Sequence, residues 1–266
     1  MRTFLTLALL SSFTAFAGEI IFDGADALAW TAPVAKTDGQ TLSAPAGKRI
    51  FSRKSFEIKP AKTIRISGEF RYVGKPAGKS VLLCFGFKPM SKDGVVIESV
   101  NINPDRNAAM TQTAADVSRG DSEVIVKNAV TWKKLSKYAY IAFFVKKDFS
   151  DLPNRKLSAR VKQVVPREDG SCAVTLLSPL KFDVPAGTDV RVHNDSSTYI
   201  YTGSRGYAKL TPEWKTFSDT IKGMRPGAGS QNWWAGTTAA NVVFFASGLK
   251  SDDRIEFRNI KVEILD

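Results

Sequence analysis

Histidine is nearly missing from this chain, with His193 the single example among 266 residues. That inventory excludes any metal site built on two histidines. It also leaves a Ser-His-Asp arrangement only the polar stretch "RVHNDSS", which has no G-x-S-x-G elbow. Cysteine is almost as scarce. Cys84 and Cys172 cannot form a disulfide framework or a cysteine metal site; they either pair in an oxidising compartment or pack, Cys84 inside the apolar run "SVLLCFGF". No glycine-rich phosphate cradle follows a strand, so nucleotide chemistry is not expected, and no cofactor is. Helical periodicity is nearly absent. Basic blocks are absent too: 38 Lys and Arg against 26 Asp and Glu give a net charge of +12, but the excess is spread along the chain. A specific nucleic-acid partner is therefore not expected, while the excess either solvates the surface or favours anionic partners such as acidic polysaccharides.

Long apolar runs are missing as well. None reaches the roughly 20 residues of a membrane helix, so no transmembrane segment is expected. The opening "MRTFLTLALLSSFTAFA" has a basic start, a short apolar stretch and a small-x-small ending at Ala15 to Ala17. It predicts a signal peptide over residues 1–17, with cleavage near Ala17 and a secreted or periplasmic product.

What the chain does contain is short runs of Val, Ile, Phe, Thr and Tyr between Gly, Pro, Asp and Asn clusters, the pattern of an all-β protein. In "TIRISGEFRYV" the apolar Ile64, Ile66, Phe70 and Tyr72 share one parity, which predicts a half-buried antiparallel strand. In the last strand Ile255 and Phe257 are odd whereas Ile260, Val262 and Ile264 are even. A β-bulge near Arg258 and Asn259 reconciles the two halves with one core. The runs "YIAFFV" and "VVFFA" are continuously apolar and predict central strands covered on both faces. Between about Thr113 and Thr198, "SEVIVKNA", "CAVTLLSPL" and "VPAGTDVRVH" alternate strand and turn, as a small β-barrel-like unit would. The expected fold is a jelly-roll β-sandwich of residues 18–112 and 199–266 interrupted by a small β-module at 113–198.

The stretch "PEWKTFSDTIKG", the buried run "NVVFFAS" and the closing "DRIEFRNIKVEIL" resemble the C-terminal half of carbohydrate-binding jelly-roll modules attached to secreted polysaccharide-degrading enzymes. Trp214 opens a strand as in that group, and Asn259 to Val262 match its final-strand pattern. The resemblance implies sugar binding, and it implies that a structural calcium, where such modules carry one, would draw on Asp252 and Asp253. The loop containing them has no D-x-[DN]-x-[DN]-G spacing, and an acidic turn explains them equally.

Sugar recognition needs an aromatic face and planar polar groups. "SQNWW" supplies Gln231, Asn232, Trp233 and Trp234 within four residues, unless one tryptophan closes the sandwich edge and the other covers a loop. Trp30 and Trp214 read as core, and Trp132 is ambiguous. "STYIYTGSRGYAK" places Tyr199, Tyr201, Arg205 and Tyr207 close together, a second ligand-binding candidate and the residue types a polysaccharide lyase would use. A glycoside hydrolase would need paired carboxylates, for which Asp121, Glu123, Asp148 and Asp151 are loop candidates. The leading expectation is an exported, non-catalytic carbohydrate-binding protein. The alternatives are such an enzyme or a structural cell-envelope protein.

Overall fold

The structure, a computed structural model, describes residues 18–31, 33–76, 78, 80–203 and 207–266. The expected signal peptide lies outside them. The fold is all-β, and side-chain alternation builds it. Along Ile64–Val73 the residues Ile64, Ile66, Gly68 and Phe70 are buried while Arg65, Ser67, Glu69 and Arg71 face outward. This strand lies inside an antiparallel sheet in the order Lys215–Ile221, Ile64–Val73, Arg254–Ile264, Thr41–Pro45, Ala35–Asp38, with Glu19–Asp23 also pairing with Arg254–Ile264. A second antiparallel sheet centres on Val81–Met90 and Ala239–Ser247, with Ile200–Tyr201 and Ala208–Leu210 on one side and Ile50–Phe51 and Phe56–Glu57 on the other.

The two sheets stack through interlocking aromatic rings. Phe70 meets Phe85 at 4.9 Å and Phe244 meets Phe257 at 4.7 Å between ring centroids, both edge-on. Trp30 is fully buried, and its indole N–H donates to the Gly24 carbonyl. Ala239–Ser247 is covered on both sides: Val242, Phe244 and Ala246 face the core, while Val243 is buried on the outer side.

The last strand changes face at a bulge. Arg258 pairs with Glu69 and Lys261 with Ser67, so Asn259 and Ile260 together oppose Gly68. Asn259 takes φ 52, a left-handed conformation that asparagine adopts more readily than most residues. Ile260 turns into the core, where a Cβ on Gly68 would lie 2.9 Å from its Cγ1, so glycine is what the bulge requires.

Six further strands curl into a nearly closed barrel in the order Thr111–Gln112, Asp189–Asn194, Ala139–Phe143, Leu157–Pro166, Cys172–Leu176, Glu123–Val126. A bridge between Thr113 and Val126 draws the ends together. The barrel has its own core, containing Val124, Ile141, Phe143, Val174, Val192 and Trp132. Trp132 is fully buried and donates to the Ala109 carbonyl. Cys172 belongs to this core, whereas Cys84 is half-buried on the outer side of the second sandwich sheet; both are free thiols.

The sandwich meets the barrel through the short helix Ser99–Ile102. The Asn154 backbone N–H donates to the Asn101 carbonyl, the Asn101 side chain donates to the Asn154 carbonyl, and the Ser99 hydroxyl donates to Asp195. His193 is fully buried there. Its Nδ1 lies 2.6 Å from the Val100 carbonyl, and its Nε2 accepts from Arg191 Nε at 3.1 Å.

Candidate functional site

The outer face of the first sheet is laid out by register. Strand partners directly opposite one another share a face, so Arg258 stands against Glu69, Glu256 against Arg71 and Glu263 against Arg65. Each becomes an ion pair, at 2.7, 2.6 and 2.9 Å respectively. The arginines approach through Nε and Nη2, both on one carboxylate oxygen, which keeps their side chains upright on the sheet. Thr216 pairs with Glu69, so Trp214, two residues earlier, falls on this same outer face.

Trp214 is half-buried between two guanidinium groups. The Arg258 centre lies 4.3 Å and the Arg71 centre 4.7 Å from its ring centroid, close enough for cation–π attraction at both. Asp38, Gln40 and Thr41 complete one wall of a groove of about 440 Å³, and Asn259 completes the other. The bulge delivers Asn259 to this position, where its amide donates to Glu69 at 2.8 Å. That hydrogen bond and those from Arg258 hold the Glu69 carboxyl below its ordinary range, so it stays ionised. Among the described residues Nη1 of Arg71 and Nη1 of Arg258 donate to nothing. The groove thus offers an indole, two free guanidinium edges and side-chain amides, the groups that pack on a sugar ring and hold its hydroxyls.

The expectation of a core position for Trp214 is corrected. Its exposure follows from parity, since Trp214, Thr216, Ser218 and Thr220 all carry even numbers, and the small polar members of that series mark the solvent side. The signal is present in the sequence and is masked by the general preference of tryptophan for burial.

The opposite correction applies to "NWW". Trp233 and Trp234 are both fully buried, so neither can offer a ring face to a ligand. Trp233–Trp234 pairs in parallel with Met224–Arg225 and closes the intervening loop. Trp233 enters the sandwich core against Phe87 at 4.9 Å, while the Trp234 indole donates back to the Gly229 carbonyl, so the glycine-rich loop lies over it. Gln231 is exposed, and the Asn232 amide donates to the Lys222 carbonyl, holding the loop shut.

Tyr199 and Tyr201 do come together, with centroids 5.8 Å apart, on the outer side of the second sheet. Their cationic neighbour is Arg49, over the Tyr199 ring at 5.7 Å, and Phe51 packs edge-on against Tyr199. Burial pushes the Tyr201 hydroxyl above its ordinary pKa, the wrong direction for a base near neutrality. Tyr207 stands apart, exposed at the sandwich edge beside Phe217 and Asp219. Arg205 lies outside the described residues.

The carboxylate candidates are each occupied. Asp121 accepts from the Ser118 N–H, Asp148 from the Ser150 N–H, Glu123 pairs with Arg167, and Asp151 is buried against Arg191 at 2.9 Å. Asp253 accepts from the Lys75 and Lys250 backbone N–H groups, and Asp252 from the Ser251 hydroxyl, which makes the pair a turn. Among the described residues no three metal-ligating side chains cluster. Compared with known proteins, the chain matches no family model, no curated sequence and no solved structure.

Proposed function

We propose that this chain is an exported, non-catalytic carbohydrate-binding protein whose ligand packs on Trp214. The observation that carries the reading is a surface indole set between the guanidinium groups of Arg71 and Arg258, with the bulged Asn259 beside them. A sugar places its C–H face on the ring and its hydroxyls on the planar donors. The free guanidinium edges favour an acidic polysaccharide over a neutral one. Ion pairing beneath the groove fixes both arginines before the ligand arrives, which lowers the ordering cost of binding.

The test is affinity electrophoresis through gels containing acidic or neutral polysaccharides, with Trp214→Ala and Trp214→Phe beside the natural chain. Retention is expected to fall for Trp214→Ala and to fall less for Trp214→Phe. Because the indole is only half-buried, unfolding free energy is expected to fall by about 1 to 2 kcal/mol for Trp214→Ala. Retention on the acidic gel should weaken as salt rises, because screening is effective over about 10 Å at 0.1 M. Undiminished retention of Trp214→Ala would overturn the assignment.

A further inference from the structure

A second cleft, of about 480 Å³, opens where the chain crosses between sandwich and barrel, and it shares no residue with the Trp214 groove. The two crossing segments are tied together. The Asn194 N–H donates to the Asn103 carbonyl, the Asn103 amide donates to the Asn194 carbonyl, and the Asn194 amide donates to Asp105 at 3.0 Å. Facing them is the glycine-rich loop after Arg225, fixed by the Gly227 N–H donating to the Ile102 carbonyl. Clefts at such junctions are common ligand sites because two independently folded surfaces converge on them.

The lining is unusual in what it leaves uncommitted. Arg106 and Arg225 make no ion pair among the described residues, and they reach the cleft from different segments, one from the crossing segment and one at the start of the loop. Among the described residues the Asn194 side-chain oxygen accepts no hydrogen bond, and it is closed off from solvent. Asn107 adds a further amide group, the Asn232 amide being already held by the Lys222 carbonyl, and Asp105, the one carboxylate, is engaged by the Asn107 N–H and the Asn194 amide. Amides and two cations match a compact ligand that carries hydroxyls and one acid group.

We propose that this cleft binds one anionic sugar unit, its carboxylate between Arg106 and Arg225 and its hydroxyls on the amides of the lining. In its sugar chemistry the assignment rests on the carbohydrate reading above, but it is a separate site. Glycine on the facing wall lets the ring approach backbone closely, and occupancy ties the barrel to the sandwich loop.

The experiment titrates the full-length Trp214→Ala protein calorimetrically with glucuronate, galacturonate, a short oligouronate, and the neutral parent sugars. Saturable binding of a uronate is expected, weakened by about tenfold or more in Arg106→Ala and in Arg225→Ala. The neutral sugars should bind markedly more weakly. Equal binding of monomer and oligomer identifies a free sugar as ligand, and tighter oligomer binding identifies a chain passing through the cleft; either supports the site. No uronate binding, binding unaffected by both arginine substitutions, or inorganic phosphate binding as well as uronate would overturn it. Reduced gel retention on Trp214→Ala together with a silent titration separates failure of this site from failure of the Trp214 groove.

Discussion

Acid should loosen the joint between barrel and sandwich, and His193 sets how much. Burial is the main cause that lowers its pKa to about 4; the Arg191 charge pushes the same way, while the Val100 carbonyl and the Asp151 carboxylate oppose it. The geometry makes the neutral form specific. With Nδ1–H donating to Val100, Nε2 must be bare to accept from Arg191 Nε. Protonation would set two donors against each other. In the unfolded chain the same ring titrates near its ordinary value of about 6.5.

The folded-state pKa is depressed, so the unfolded state takes up the proton first. The contribution to stability is fully present above about pH 6.5, falls as pH drops toward about 4, and is flat below that. Each tenfold difference in proton affinity between the folded and unfolded ring is worth about 1.4 kcal/mol, so the full loss is about 3 kcal/mol, and about 2 kcal/mol of it should be seen between about pH 7 and about pH 4.5. Urea unfolding across that range, on the natural chain and on His193→Gln, isolates the residue, because Gln keeps a donor and an acceptor without titrating. The natural chain should lose about 2 kcal/mol more than the variant. Parallel pH profiles for the two proteins would refute the reasoning.

Two further outcomes follow from packing. Trp233→Ala removes a fully buried indole from against Phe87 and should cost about 3 to 5 kcal/mol, lowering the melting temperature by on the order of ten degrees, in contrast to the small effect of Trp214→Ala. Gly236→Ala should cost on the order of 2 kcal/mol in denaturant unfolding, because Gly236 has φ 78 and an added Cβ would sit 2.4 Å from Pro153 Cδ at the barrel joint. Its amide exchange should rise at Asn154 before the barrel core.

The strands and the bulge can be read from the sequence because both are local: side-chain parity along ten residues fixes which face is buried, and a change of parity demands an extra residue. Trp233 and Trp234 are ambiguous for the converse reason. Adjacent positions normally face opposite ways, and burying both depends on a glycine-rich loop folding back over Trp234, a contact that composition does not encode. The groove at Trp214 draws on three distant segments, around Gln40, Arg71 and Arg258, so its members become neighbours only through strand order. Tyr199 and Tyr201 are neighbours on the strand pattern, but their cation, Arg49, arrives from across the sheet.

The order of the strands also dictates an order of events during synthesis. The first sandwich sheet joins Ile64–Val73 to the last strand of the chain, and the Arg71–Glu256 pair closes a separation of 185 residues. That half cannot assemble until nearly the whole chain has left the ribosome. The barrel draws all its strands from Thr111 to Asn194 and carries its own core, so it can condense while the sandwich still lacks its partners. A barrel that closes first would bring Asn103 and Asn194 side by side and shorten the effective loop that the sandwich must close. Condensed first, the interruption would act as a folding clamp, and a barrel that condenses slowly would leave the "VVFFA" strand unpaired for longer and exposed to aggregation.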